Sequence, residues 1–261
     1  MAHKSERLSV RGVSVRSYRA GKGPTALFLH GAGGLPPVWL PFFEKLSQQF
    51  DLIVPEHPGF GASDDPGWIR NVPDLAMYYL DFLDAFDLRG VHLIGNSLGG
   101  WTAAEVAVRN CSRLASLTLL SPAGIRVKGV PVGDNFIWGP EEGVRNIYHD
   151  QNLAEAILKM VPSDEQAGQQ LQNKLSATKF GWEPRWLNPF LEKWLHRISV
   201  PAHVVWGADD KLLPPAYARL WGERVPGAQV TIIEACGHLP HVEKADLAAA
   251  KVLAFLDRVA A

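Results

Sequence analysis

A serine lies in the most chemically suggestive stretch of this 261-residue chain. Residues 91–101 read Val-His-Leu-Ile-Gly-Asn-Ser-Leu-Gly-Gly-Trp, so Ser97 stands between Gly95 and Gly99. The apolar run before the glycines and the alanine-rich run after them predict a strand, a tight turn and a helix. A serine on such a turn can act as a nucleophile if a base reaches it and N–H groups at the helix start stabilise developing charge. The alternatives are an ordinary glycine-rich turn and a turn that cradles a phosphate.

Candidate partners for Ser97 follow it in the sequence. His238 comes directly after a glycine, past the last predicted strand, and imidazole is the side chain best suited to accept and return a proton near neutral pH. His241, three residues further on, is the competing base. Asp209 and Asp210 follow another predicted strand, and a carboxylate fixed at a strand end can hold the imidazole in the orientation that catalysis needs.

Charge that develops on a substrate oxygen requires two fixed N–H donors. The backbone of Leu98, at the helix start after Ser97, is the first candidate. The second comes from the loop His30-Gly31-Ala32-Gly33-Gly34, where Ala32 is favoured and Gly33 is the alternative. A phosphate cradle is a weaker interpretation of this loop, because no Lys or Ser/Thr follows at P-loop spacing.

The elements around these residues alternate between strand and helix. Residues 8–10 and 13–18 predict a hairpin at a sheet edge, and residues 245–259 predict a closing amphipathic helix. Further short apolar runs predict strands over residues 25–29, 51–55, 114–120, 202–206 and 229–233. Between these strands, apolar residues recur at helical spacing, for example over residues 38–50. This alternation of strands and helices predicts an α/β fold with a mostly parallel, twisted sheet and helices on both faces.

The segment 123–198 interrupts this alternation after the sixth predicted strand. Strand signals vanish there, and residues 150–159 and 164–178 predict helices among frequent prolines and large aromatic side chains. Because the segment leaves and rejoins the sheet at strand ends, we expect it to form a helical cap. The core domain then comprises residues 1–122 and 199–261.

Composition and charge exclude several functions. A formal net charge of −1 without a Lys/Arg cluster argues against a nucleic-acid partner. The polar N-terminus and the short apolar runs argue against a signal peptide or a membrane span, so a cytoplasmic protein is expected. Two cysteines, Cys111 and Cys236, lack metal-ligand spacing and suit a reducing compartment with buried, inert thiols. Nothing in the sequence indicates an oligomeric state.

Taken together, the motifs resemble those of the capped α/β-hydrolases. They are the stretch Gly95–Gly100, the loop His30–Gly34, the turn Pro58–Ser63, the strand end Trp206–Asp210 and the pair Gly237-His238. The resemblance covers nearly the whole chain and implies a Ser-His-acid triad at a nucleophile elbow, an oxyanion hole and no cofactor or metal. In that family the base directly follows the glycine and the acid stands three residues after its glycine, which selects His238 and Asp210.

The resemblance also narrows the reaction. A serine at the elbow argues against haloalkane dehalogenases and epoxide hydrolases, which use an aspartate there. The stretch Gly95–Gly100 matches the Gly-Asn-Ser-x-Gly-Gly of the meta-cleavage-product hydrolases, but Leu239 replaces their usual tryptophan and the loop after His30 has fewer glycines. Carboxylesterase or thioesterase activity is therefore expected first, and carbon–carbon bond hydrolysis second. A non-catalytic small-molecule receptor is the third alternative.

The substrate is expected to be small and largely hydrophobic, with water as the second reactant. Four of the nine tryptophans fall in the cap segment, and large rings near a catalytic edge form an apolar wall at little entropic cost. The residues expected to contact the substrate are Gly31, Gly33, Asn96, Trp138, Trp182, Trp186 and Leu239.

Overall fold

The computed structural model describes residues 3–260. Its strands are β1 (Lys4–Val10), β2 (Val13–Ala20), β3 (Thr25–Leu29), β4 (Asp51–Pro55), β5 (Val91–Asn96), β6 (Leu114–Leu120), β7 (Ala202–Gly207) and β8 (Gln229–Ile233). Its α-helices are α1 (Pro41–Leu46), α2 (Val72–Ala85), α3 (Leu98–Arg109), α4 (Pro140–Ile147), α5 (Gln151–Leu158), α6 (Asp164–Gly181), α7 (Ala216–Arg224), α8 (Pro240–Glu243) and α9 (Ala245–Ala260). A 3₁₀-helix spans Glu192–Arg197.

Within the described residues the strands form one eight-stranded sheet in the order β1-β2-β4-β3-β5-β6-β7-β8. β1 and β2 form the expected antiparallel hairpin at one edge, and β2 also runs antiparallel to β4. Every other neighbouring pair is parallel. The predicted mostly parallel α/β sheet is therefore confirmed, and β5, which leads into Ser97, lies in its interior.

Apolar side chains from the parallel strands reach both faces of the sheet. In β3, Leu27 and Leu29 join the cluster that includes α2, α3 and α7, whereas Ala26 and Phe28 join the cluster that includes α1 and α9. This alternation follows from the two-residue period of a strand and explains why β3 reads as a continuous apolar run. Helices on both faces thus hold the carboxyl ends of the strands at one fixed edge.

The segment between β6 and β7 contains α4, α5, α6 and the 3₁₀-helix, and we call residues 123–198 the cap segment. α6 begins with a capping box, in which Ser163 and Gln166 each bond the other's backbone N–H. α5 and α6 match the predicted helices closely, but α4 was not predicted. α1 is also shorter than predicted, because the extended residue Leu40 precedes a proline at the first helical position.

Among the described residues, no helix combines the length and the apolar character needed to cross a bilayer.

Candidate active site

Ser97 occupies the tight turn between β5 and α3 in a strained backbone conformation. Its φ is 53° and its ψ is −113°, a combination that an L-residue adopts only when its surroundings enforce it. Three backbone hydrogen bonds supply that constraint: the Ser97 N–H donates to Leu120 O at 2.9 Å, and Ser97 O accepts from Trp101 at 2.9 Å and Ala123 at 3.1 Å. Only 8% of Ser97 is exposed.

The glycines on either side of Ser97 are required by close packing. A Cβ on Gly95 would lie 2.3 Å from the carbonyl oxygen of Gly99, and a Cβ on Gly99 would lie 2.1 Å from the carbonyl oxygen of Leu29. Both distances are far below van der Waals contact. The Gly-x-Ser-x-Gly spacing therefore lets α3 begin directly against β3 and β5.

His238 and Asp210 meet at the carboxyl edge of the sheet. His238 Nδ1 lies 2.7 Å from Asp210 Oδ2, and both side chains are buried. The other carboxylate oxygen, Oδ1, accepts the N–H groups of Leu212 at 2.9 Å and Leu213 at 2.8 Å. A carboxylate accepts only, so the His238 proton resides on Nδ1 and leaves Nε2 as a hydrogen-bond acceptor. Within the described residues, Nε2 is buried and has no hydrogen-bond partner.

The two competing residues lie in different surroundings. Asp209 is on the surface, where its carboxylate lies 3.0 Å from Nδ1 of the half-exposed His149 of the cap segment. His241 is only 6% exposed and packs against Phe28 and Phe42 in the core. The sequence places His241 at the start of the last helix, where a surface or cap-facing side chain is expected, and the structure shows that this expectation is wrong. Its helix, α8, is a single turn that turns this ring inward, and burial lowers the pKa of His241 to about 3, with a smaller effect of His238.

The loop after β3 lies against the elbow. A Cβ on Gly31 would lie 3.3 Å from the Cβ of Ser97 and 2.8 Å from Asn96 Oδ1, so the backbone of this loop borders Ser97 directly. The loop closes in a turn in which the Gly34 N–H donates to Gly31 O at 3.0 Å. On the other side of Ser97, Leu98 is the first residue of α3, where the amides have no carbonyl of their own helix to bond.

A buried pair of histidines, His30 and His57, adjoins this loop, and no sequence motif predicts their contact. The His57 N–H donates to His30 Nε2 at 2.9 Å, so His30 carries its proton on Nδ1, 2.7 Å from Gly31 O. His57 Nε2 lies 2.9 Å from His30 O, which only accepts, and His57 Nδ1 lies 2.6 Å from the Tyr79 hydroxyl. Burial lowers the pKa of His30 to about 4 and that of His57 well below its ordinary value.

Both histidines are therefore neutral at physiological pH. In the series of hydrogen bonds from Tyr79 through His57 to His30, each donor has a single acceptor. Burial also raises the pKa of Tyr79, which keeps its hydroxyl protonated as the donor to His57. His57 directly precedes the turn Pro58–Ser63 in the sequence, whereas nothing in the sequence marks Tyr79. The network fixes Gly31 O and with it the peptide that carries the Ala32 N–H.

The cap segment contacts the loop that carries His238. The His238 N–H donates to Ile147 O, at the end of α4, at 2.8 Å. Glu243 bridges the two segments, because its carboxylate accepts the Gly237 N–H at 2.6 Å and the Asp150 N–H at 2.5 Å. These contacts depend on the tertiary fold and carry no sequence motif.

The cap tryptophans differ in exposure. Trp186 is 5% exposed, stacks on Phe136 with ring centroids 5.1 Å apart and donates its indole N–H to Asn135 at 2.8 Å. Trp182 is 51% exposed, and the Arg185 guanidinium lies 4.4 Å from its ring centroid.

Two further tryptophans belong to the cap segment. Trp138 is partly buried and packs so closely on Gly133 that an added Cβ would lie 2.3 Å from the indole ring. Trp194 is exposed, with the ammonium of Lys193 over its ring. The four rings are thus spread over the cap segment and do not form one stack.

The remaining residues expected to contact substrate border the elbow or the His238 loop. Asn96 is buried beside Ser97 and donates its Nδ2–H to Leu120 O at 3.1 Å. Gly33 is exposed in the loop after β3, and Leu239, next to His238, is partly buried at the start of α8.

Comparison with known proteins agrees with this architecture. The chain is 29% identical over 246 residues to poly(3-hydroxyalkanoate) depolymerase of Ectopseudomonas oleovorans, covering 89% of this chain and 84% of the depolymerase. It is 28% identical over 259 residues to 2-hydroxy-6-oxononadienedioate/2-hydroxy-6-oxononatrienedioate hydrolase 1 of Dechloromonas aromatica, covering 89% and 86%.

A solved structure of a membrane phospholipase A superposes with a TM-score of 0.81 at 25% identity, covering 98% of this chain and 86% of the phospholipase. The family model described as "alpha/beta hydrolase fold" matches residues 24–245, which include the Ser97 turn, the loop after β3 and the His238 loop. With the parallel sheet and the strained serine between β5 and α3, this match shows that the chain belongs to the α/β-hydrolase family.

Proposed function

We propose that this protein is a carboxylesterase-like serine hydrolase, with Ser97 as nucleophile, His238 as general base and Asp210 as the acid that orients it. The observation that carries the proposal is the buried contact of 2.7 Å between His238 Nδ1 and Asp210 Oδ2, which leaves His238 Nε2 as a free acceptor. A base that is held in one tautomer but has an unused acceptor is suited to take a proton from a hydroxyl group.

In the proposed reaction, His238 Nε2 removes the proton of Ser97 as Oγ attacks the substrate carbonyl carbon. The C=O double bond opens to a tetrahedral oxyanion, which re-forms the carbonyl and expels the alcohol with the proton from His238. Water then repeats the sequence on the acyl-enzyme, releasing the carboxylic acid and restoring Ser97. Asp210 stays ionised and stabilises the imidazolium in both half-reactions.

The oxyanion is proposed to bind the N–H groups of Leu98 and Ala32, with Gly33 as the alternative to Ala32. Support comes from the position of Leu98 at the first turn of α3 and from the contact of Gly31 with Ser97. A planar trans peptide directs its C=O and N–H in opposite directions. Because His30 and the Gly34 N–H hold Gly31 O on one side, the Ala32 N–H is directed to the other side.

We propose a small, largely hydrophobic ester or thioester as the substrate. Aromatic side chains of the cap segment, including Trp138, Trp182 and Trp186, supply apolar surface, and the cap segment contacts the His238 loop. The depolymerase among the relatives carries the name of a polyester as its substrate, which is the same bond type. Single replacement of Trp138, Trp182, Trp186 or Trp194 by alanine tests whether a ring contributes to selectivity or only to stability.

Carbon–carbon bond hydrolysis is the second candidate, and one observation favours it specifically. The stretch Gly95–Gly100 has the glycines and the buried Asn96 of the meta-cleavage-product pattern, and a relative of similar identity is named as a hydrolase of 2-hydroxy-6-oxononadienedioate and 2-hydroxy-6-oxononatrienedioate. The same triad would then act on a vinylogous ketone.

A panel of p-nitrophenyl esters of increasing acyl length, assayed beside a 2-hydroxy-6-oxo-hexadienoate, separates these candidates. We expect turnover of the esters, with the dienoate slower by at least tenfold in kcat/KM; the opposite ranking would favour the second candidate. A fluorophosphonate probe should label the native protein and fail to label Ser97→Ala. A native protein that resists both labelling and turnover would instead be a binding protein on this fold.

A further inference from the structure

α6 of the cap segment lies across two glycine-containing loops of the core domain. Gln172 donates its side-chain N–H to Gly59 O at 3.0 Å, and the Ser176 hydroxyl donates to the same oxygen. One turn of α6 therefore forms a polar contact with the core domain. Both of these side chains bond the turn after β4 and not the loop after β3.

Asn173, between them in sequence, reaches further. Its Nδ2–H donates at 3.0 Å to Gly33 O in the loop His30–Gly34, here called the oxyanion loop, and its Oδ1 accepts the Gly61 N–H at 2.8 Å. These two partners determine which side-chain atom is nitrogen, because a carbonyl only accepts and an N–H only donates. Asn173 is 8% exposed, so both hydrogen bonds are largely shielded from water.

The fit between Asn173 and the oxyanion loop is tight. Gly34 has a φ of +82°, and a Cβ at that position would lie 2.2 Å from Asn173 Nδ2. Asn173 thus rests directly on the peptide that joins Gly33 to Gly34. Because this peptide is planar, holding Gly33 O on one side directs the Gly34 N–H to the other side, where it bonds Gly31 O at 3.0 Å.

The two ends of the oxyanion loop are therefore fixed by residues from different parts of the chain. His30 holds Gly31 O from within the core domain, and Asn173 holds Gly33 O from the cap segment. The N–H groups of Ala32 and Gly33 lie between these anchors. An oxyanion hole stabilises charge only if its donors are already oriented when the charge forms.

We propose that Asn173 is a positioning residue that orients the oxyanion loop from the cap, so that α6 must be docked for the loop to stabilise the tetrahedral intermediate. This inference rests on the proposed serine-hydrolase function. It assigns to α6 a part in catalysis that is separate from any contact with the substrate. The effect is on the transition state, because Asn173 acts on the loop that receives the developing charge.

Asn173→Asp tests the proposal, because the change is isosteric, keeps an acceptor for the Gly61 N–H and removes the donor to Gly33 O. The matched control is Gln172→Glu, which places the same new charge one residue away and removes the corresponding donor to Gly59 O. Three measurements are compared: kcat and KM for p-nitrophenyl butyrate, the inhibition constant of phenylboronic acid, and the thermal midpoint. Phenylboronic acid forms a tetrahedral adduct with the serine and needs the same N–H donors.

For Asn173→Asp we expect kcat to fall by about 10- to 100-fold, less than the loss of a whole oxyanion donor, with KM changed less than about threefold. Boronate affinity should fall by a similar factor. Gln172→Glu should stay within about twofold of the parent in all kinetic measurements. Asn173→Ala, which adds no charge, should reproduce the direction of the kcat and boronate effects and serves if the aspartate variant folds poorly.

The inference is overturned if both Asn173 variants retain parental kcat and boronate affinity, or if Gln172→Glu loses as much as Asn173→Asp. A kcat loss that accompanies unchanged boronate affinity would also overturn it, because the oxyanion loop would then be intact. A parent protein that neither hydrolyses the ester nor binds the boronic acid would overturn the proposed function and this inference with it. An active parent with unaffected variants overturns this inference alone.

Discussion

The buried ring of His241 predicts a specific loss of stability in mild acid. Its Nδ1 has no hydrogen-bond partner among the described residues, and its ring centroid lies 5.4 Å from that of Phe28 and 5.9 Å from that of Phe42. Burial lowers the pKa of His241 to about 3, so the ring is neutral in the folded protein across the neutral and mildly acidic range. In the unfolded chain the pKa returns to about 6.5.

The sign of the effect follows from where the proton binds. Below about pH 6.5 the unfolded chain binds a proton at this histidine and the folded chain does not, so the free energy of unfolding decreases as the pH falls. The decrease continues until the pH reaches the folded-state pKa of about 3. Each pH unit in that window is worth about 1.4 kcal/mol, so between pH 8 and pH 5 His241 alone should cost about 2 kcal/mol.

His241→Phe removes the titrating group and keeps an aromatic ring in the cluster. Urea unfolding followed by tryptophan fluorescence at pH 8 and pH 5 gives the free energy of unfolding for parent and variant. Any packing cost of the larger ring is present at both pH values and cancels in the comparison. We expect the parent to lose about 2 kcal/mol more than the variant between the two pH values.

His196→Gln is the control, because His196 is exposed on the 3₁₀-helix and its replacement should leave the pH dependence unchanged. Other buried histidines contribute equally to the pH dependence of stability in the parent and the variants. Only the difference between the proteins in their loss of unfolding free energy is therefore informative. If His241→Phe and the parent lose the same free energy between pH 8 and pH 5, then His241 is not the buried neutral group described above.

Three further predictions concern the site itself. Ser97→Ala should abolish ester hydrolysis with an unchanged circular dichroism spectrum, and residual activity above a few per cent would exclude Ser97 as the nucleophile. Asp210→Asn should lower kcat by about a thousandfold or more by mis-setting the histidine tautomer. Asp209→Asn should stay within about threefold, because the Asp209 carboxylate contacts the surface residue His149; reversed effects would transfer the role to Asp209. Trp186→Ala should cost about 3–5 kcal/mol in urea unfolding, and Trp182→Ala markedly less, because only the first ring is buried; equal losses would refute this.

Local sequence patterns predicted the parts of the fold that depend on local rules. The apolar run of β3 is predictable because a strand buried on both faces allows few residue types. The glycines around Ser97 are predictable because the turn has no room for a Cβ. The expected helices over residues 150–159 and 164–178 differ from α5 and α6 by three residues or fewer at each end. Local periodicity and capping residues determine such elements.

Other features depend on contacts between distant residues and were not predicted. Asn173 reaches Gly33 across 140 positions, and Tyr79 reaches His57 through the tertiary fold alone. The inward orientation of His241 likewise results from the aromatic residues of β3 and α1 and not from its neighbours in sequence. α4 was missed because Val144 and Ile147 are the only large aliphatic side chains among its eight residues, too few to establish a helical period in the sequence.

The bridge formed by Glu243 limits how this protein can be recombined with its relatives. The cap segment is encoded as one continuous insertion, which suggests crossover points directly after β6 and directly before β7 for a chimaera with a foreign cap. Such a chimaera would discard Ile147 and Asp150, and with them the backbone partners of His238 and Glu243. A graft that preserves the His238 loop should therefore retain residues 147–150 from the parent and exchange only the flanking helices.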